Sequence, residues 1–227
     1  MPISKLKPNF FEAVLFDMDG TLVDTEPLWL KCETELTGKY GYLWRQSDQA
    51  HCLGGPLDRV GKYMSDLTGA MSPEFFTNTL ISLMADELHC GAPLMSGAPG
   101  LLELFQSWSL PMALVSASPR ILVDAVLDSL PGHGFQVSIS SDDVEKVKPH
   151  PEGYLSAANH LGVPIANCLI LEDSLTGVTA AIASGGYVIA VPHLVEIGEG
   201  PRVEVVQSLS KVTSLFLQAL GKKWLVN

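Results

Sequence analysis

Asp17 and Asp19 stand one residue apart at the end of the apolar run AVLF, and Gly20 and Thr21 follow at once. A carboxylate at a strand end can attack as a nucleophile, exchange a proton or hold a cation. Three other places carry matching chemistry: Ser116 after MALV, Lys148 ahead of Pro149-His150-Pro151, and the pair Glu172-Asp173 after CLIL. Acids brought this close repel one another unless a cation sits among them, and carboxylate oxygens suit Mg²⁺ shared with a substrate phosphate. With Asp17, Asp19, Glu172 and Asp173 as candidate metal residues, the cation screens a phosphate dianion while Asp17 attacks it. Asp19 is then placed to give a proton to the leaving oxygen and to take one from water on the return step. Lys148 adds a compact positive charge. Ser116, with the amides of Ala117 and Ser118 at a helix start, forms an anion-binding corner. Singly, these residues have plainer readings: a turn after a strand, a solvated lysine, a strand end.

The elements that must position them alternate. AVLF, MALVS, FQVSI, CLILED and YVIAV read as buried strands, which indicates an α/β fold with a Rossmann-like parallel sheet covered by helices on both faces. Ser118 and Pro119 read as the cap and first residue of a helix with Leu122, Ala125 and Val126 inward. Tyr154, Ala158 and Leu161 share a face of a helix ending at Gly162, and Ser174 caps another with Leu175, Val178 and Ile182 inward. Chemistry in open parallel sheets gathers beyond the strands' carboxyl ends, where Asp17, Ser116 and Glu172 all fall. Residues 25–97 break the alternation and read as an inserted helical domain, with 1–24 and 98–227 forming the core and APLMSGAPG the return linker. The insertion is expected to meet the core only through its two chain crossings.

The motifs DMDGT, LVSASP, KPHP and LEDS occur in the order found in the haloacid dehalogenase superfamily, and the resemblance covers essentially the whole chain. It implies that Asp17 is nucleophile and metal ligand, Asp19 an acid/base whose carbonyl also meets Mg²⁺, and the insertion a cap. DTEPLW and LVSASP resemble the branch of hexitol-phosphate and 2-deoxyglucose-6-phosphate phosphatases. In the related β-phosphoglucomutases a histidine occupies the position of Trp29, which favours hydrolysis here. The cap segment CLGGPLDRV aligns with a specificity loop, so Arg59 and Gly54–Gly55 are candidate substrate contacts, with Pro56 where relatives carry an arginine. Glu26 and Trp29 stand at the hinge. The alternatives are a mutase, a phosphoglycolate-type phosphatase and a receiver-like domain phosphorylated on Asp17; a receiver lacks both Asp19 and the insertion.

The net charge of −11 excludes a nucleic-acid partner, which needs clustered Lys and Arg. The longest uncharged stretch, 174–195, is broken by glycines and a proline and does not read as a membrane span. No secretory leader is read at the start, and the four cysteines, without metal-like spacing, read as buried free thiols. A cytoplasmic monomer acting on a small phosphate ester, with Mg²⁺ and no membrane partner, is expected.

Overall fold

The computed structural model describes residues 8, 10–52, 56–192, 197–198 and 200–226. Among them is a six-stranded, all-parallel sheet of β1 (Ala13–Phe16), β2 (Met112–Val115), β3 (Val137–Ile139), β4 (Cys168–Glu172), β5 (Tyr187–Ala190) and β6 (Val203–Val205), ordered β3-β2-β1-β4-β5-β6. Helices α1 (Glu26–Gly38), α2 (Gln46–Cys52), α3 (Leu57–Thr68) and α4 (Pro73–His89) fall between β1 and β2. The others are α5 (Ala98–Ser107), α6 (Arg120–Ser129), α7 (Glu152–Leu161), α8 (Leu175–Ser184) and α9 (Ser214–Val226). No helix among the described residues is long and apolar enough to cross a membrane.

The central strands are apolar at nearly every position because both faces are covered. Val14, Phe16, Leu169 and Leu171 join a core with Phe105 of α5, Val126 of α6 and Leu217 of α9. Ala13, Leu15 and Ile170 face the other way, toward Tyr154 and Ala158 of α7 and Val178 and Ala181 of α8. Gly162 ends α7 with a φ of 70°, and Ser174 Oγ caps α8 by accepting the Gly177 N–H at 3.0 Å, both as expected.

Leu175 and Ile182 of α8 do not point inward; they are 56% and 53% exposed, and the buried face is Gly177, Val178, Ala180, Ala181 and Ser184. A Cβ on Gly177 would lie 1.7 Å from Glu172 Oε1, so the helix lies too close for large side chains on that face. Leu161 is only partly buried. α6 starts at Arg120 behind Pro119 and has no side-chain cap, because the Ser118 hydroxyl bonds to Asp19 instead. The segment expected as a return linker turns into α5 at Ala98, after Gly97 with a φ of 93°. Cys32, Cys52 and Cys168 are buried free thiols, but Cys90 is exposed.

The two crossings of the insertion hydrogen-bond to each other. Asp24 N–H donates to Pro93 O at 2.8 Å and Met95 N–H to Leu22 O at 2.9 Å. They are not the insertion's only contact, as the sequence reading had it. α4 packs against α6, and apolar residues of insertion and core form one continuous cluster. A helix with an apolar face beside the core buries it there rather than leaving it to water.

Candidate active site

β1 delivers Asp17 to the sheet's centre, where its N–H continues the ladder by donating to Leu171 O at 3.0 Å. Lys148 reaches the same point and spends all three ammonium protons, on Asp17 Oδ1 at 2.5 Å, Glu172 Oε1 at 2.7 Å and the Val115 carbonyl at 2.9 Å. The second oxygen of Asp17, Oδ2, is buried with no hydrogen-bond partner.

Glu172 is 0% exposed and engaged on both oxygens. Oε1 accepts from Lys148 and from the Tyr154 hydroxyl at 2.7 Å; Oε2 accepts from Asp173 N at 3.0 Å, Ser174 N at 3.2 Å and Ser174 Oγ at 3.1 Å. Asp173 is more open and accepts from Thr21 Oγ1 at 3.2 Å. Beside it Gly20 has a φ of 81°, and a Cβ there would stand 2.3 Å from Asp173 Oδ2, so glycine suits both backbone and space.

Asp17, Glu172 and Asp173 each offer an oxygen within 4.8 Å of the others. Burial first, then the Glu172 charge, push the Asp17 carboxyl well above the usual range, against the opposing pull of Lys148. The same two causes raise Asp173 to about 7. One lysine thus faces three carboxyl groups, and one buried oxygen is orphaned. These residues fit a divalent cation, which would remove the repulsion and give that oxygen a partner.

Asp19 is held apart from this cluster. Thr25 Oγ1 donates to its Oδ1 at 2.9 Å, while the hydroxyls of Ser116 and Ser118 donate to Oδ2 at 3.2 and 2.9 Å. The Ser118 amide donates to Ser116 Oγ at 2.9 Å, so only part of the expected anion-binding corner is open.

A cavity of about 640 Å³ lies over these groups. Asp17, Asp19, Lys148, Asp173, Ala117 and Ser118 line it, together with Glu26 and Trp29; Ser116 and Glu172 stand behind its wall. Arg59 is not among the lining residues. It is exposed, and its Nη2 donates to the His51 carbonyl at 3.0 Å. In α3 it is Leu57 and Val60 that face the cavity, and a step of about 100° per residue turns Arg59 away. Gly54 and Gly55 lie outside the described residues.

Sequence reading missed Tyr154 as a support for Glu172, Thr25 as a support for Asp19, and Glu33 and Gln49 in the cavity wall. For Glu33 a signal existed: Trp29, Cys32, Leu36 and Tyr40 recur at helical spacing, and Glu33 lies beside Cys32 and three residues before Leu36.

Over residues 14–191 the chain matches the family model of haloacid dehalogenase-like hydrolases, and it belongs to that family. It is 28% identical over 99% of its length to the bifunctional riboflavin kinase/FMN phosphatase of Arabidopsis thaliana, spanning only 58% of that protein. It is 31% identical to hexitol phosphatase B of Escherichia coli K12, over 82% of this chain and 85% of that one. A crystal structure of a putative beta-phosphoglucomutase from Thermotoga maritima superposes with a TM-score of 0.77 at 25% identity, covering 94% of this chain and 99% of the other.

Proposed function

We propose that this hydrolase removes phosphate from small sugar or polyol phosphate monoesters through a phosphoryl group carried on Asp17. The observation that carries the reading is the orphaned Asp17 Oδ2 beneath a cavity, its sister oxygen pinned by Lys148. In the first step Asp17 forms a bond to phosphorus as the ester P–O bond breaks, and Asp19 gives its proton to the departing alkoxide oxygen. In the second, Asp19 takes a proton from water as its oxygen attacks phosphorus, and the Asp17–phosphorus bond breaks. Lys148 counters the charge gathering on Asp17 and the phosphoryl group, and Glu172 with Tyr154 holds Lys148 in place. Ala117 and Ser118 border the phosphate end of the cavity.

A bound Mg²⁺ supplies the remaining positive charge on the phosphoryl oxygens. Asp17, Asp173 and the Asp19 carbonyl would hold it, with Glu172 contributing mainly through its grip on Lys148. The helical block 25–97 is read as the cap that shields the ester from water.

A phosphate-release screen with Mg²⁺ across sugar, polyol, glycolate and nucleotide monophosphates, FMN included, tests this. Sugar or polyol phosphates should lead, and Asp17→Asn should lose activity by about a thousandfold or more while keeping its circular dichroism. Sustained turnover by a folded Asp17→Asn protein would sink the nucleophile. Conversion of glucose 1-phosphate to the 6-phosphate would identify a mutase instead.

A further inference from the structure

The insertion supplies Trp29 and Glu33 from α1, Gln49 and Cys52 from α2, and Leu57 and Val60 from α3 to the cavity wall. Glu33 is out of place among them. It is 4% exposed, and its Oε2 is buried without a hydrogen-bond partner. A buried polar atom left unpaired in a cavity wall is unfavourable unless something that enters the cavity pairs with it. Burial, then the neighbouring Glu26 charge, push its carboxyl up to about 8, with the Trp44 indole N–H acting the other way. At neutral pH it is therefore protonated and can both donate and accept. Trp44 Nε1 donates to Gln49 Oε1 at 3.2 Å, which engages that oxygen and leaves the Gln49 amide nitrogen as a donor.

Charge around the cavity narrows the ligand further. Lys148 is the one cation among the described lining residues, against the acidic side chains Asp17, Asp19, Asp24, Glu26 and Asp173. A carboxylate or second phosphate at the cap end would find no positive partner among the described lining residues there. A plain alkyl chain would leave Glu33 unpaired.

We propose that Glu33, with Gln49 beside it, determines specificity by hydrogen-bonding hydroxyl groups on the organic part of the substrate, so that the site selects a neutral, polyhydroxylated phosphate monoester. This rests on the phosphatase reading above and names what that phosphatase selects.

The test measures kcat and KM with Mg²⁺ on sorbitol 6-phosphate, hexyl phosphate and p-nitrophenyl phosphate, for the unmodified protein, Glu33→Gln and Glu33→Met. The unmodified protein should favour sorbitol 6-phosphate over hexyl phosphate by about tenfold or more in kcat/KM. Glu33→Met should raise KM for the sorbitol ester by about tenfold with kcat little changed, and leave p-nitrophenyl phosphate within about threefold. Glu33→Gln, which keeps a donor and an acceptor, should retain most of the preference. Equal efficiency of the unmodified protein on the sorbitol and hexyl esters overturns the proposal, as does an unaltered KM in Glu33→Met. Should Glu33→Met not fold, the comparison of the two esters on the unmodified protein decides alone. Failure of the unmodified protein on all three esters removes the phosphatase reading itself, a separate result.

Discussion

Glu172 and Asp173 are neighbours in sequence and unlike in surroundings. Glu172 takes five donors in a sealed position, whereas Asp173 keeps an oxygen toward the cavity side of Gly20. Removing Glu172 strips Lys148 of a partner and leaves buried donors unpaired, so Glu172→Ala should destabilise the fold by about 3–5 kcal/mol. Asp173→Ala removes a carboxyl already held near 7 and should leave stability within about 1 kcal/mol while raising the Mg²⁺ needed for half-maximal rate. Chemical denaturation and metal titrations of the two variants check the split; equal effects on both measures would refute it. Protonation gives a second expectation. Asp17 and Asp173 are raised by burial and by like charge, so the folded chain holds their protons more tightly than the unfolded one. Their contribution is intact below the ordinary carboxylate range and is lost as pH rises through about 7 for Asp173. In EDTA the Tm should therefore be lower at pH 8 than at pH 5, and millimolar Mg²⁺ should raise it more at pH 8. Glu33, pushed to about 8, adds the same trend without relief from the metal, so Glu33→Gln should flatten what Mg²⁺ does not. A Tm that climbed from pH 5 to 8 in EDTA would contradict the assignment.

Among the elements, α8 shows how closely the site depends on packing. Gly177 presses on Glu172 from the first turn of the helix, and a methyl there would overlap the carboxylate. Gly177→Ala should cost about 2–4 kcal/mol and depress kcat through a displaced Lys148, whereas Ile182→Ser, on the exposed face and away from the cavity, should change neither. Stability and kinetics of the two variants, measured together, check it. The same helix marks the limit of what the sequence made legible. Continuous apolar strands, Ser174 as a cap and Gly162 as a stop were readable because each reflects a local rule. The facing of Leu175 and Ile182 was not, since a tertiary contact at Gly177 sets it and a face of small residues gives little periodic signal. The core motifs were legible for the reason that strand ends put them at one edge. Arg59 was misplaced because a loop alignment carries no helical register, and the register of α3 sends Leu57 and Val60 inward. β6 and α9 were not anticipated because VEV is short with a polar centre, and Gly221 inside α9 weakens its helical signal, although Thr213 caps that helix by accepting the Phe216 N–H at 3.2 Å.

As a whole molecule, core and insertion share one apolar cluster through α4 and α6. Units joined this way lose each other's buried surface when either opens, so they should melt together. Calorimetry should give a single transition whose calorimetric and van't Hoff enthalpies agree, and Leu80→Ala in α4 should lower the Tm without splitting it. Two resolved transitions would mean the α4–α6 contact is too weak to couple them. The paired crossings carry a different consequence. Because Leu22–Asp24 and Pro93–Met95 hydrogen-bond side by side, the whole insertion is a detour that leaves and rejoins the chain at one spot. Another block of any length could be spliced in there without respacing the sheet, and so could a short turn. What resists such a graft is a surface rather than the connectivity: α6, stripped of α4, would need a new occupant or present its apolar residues to water.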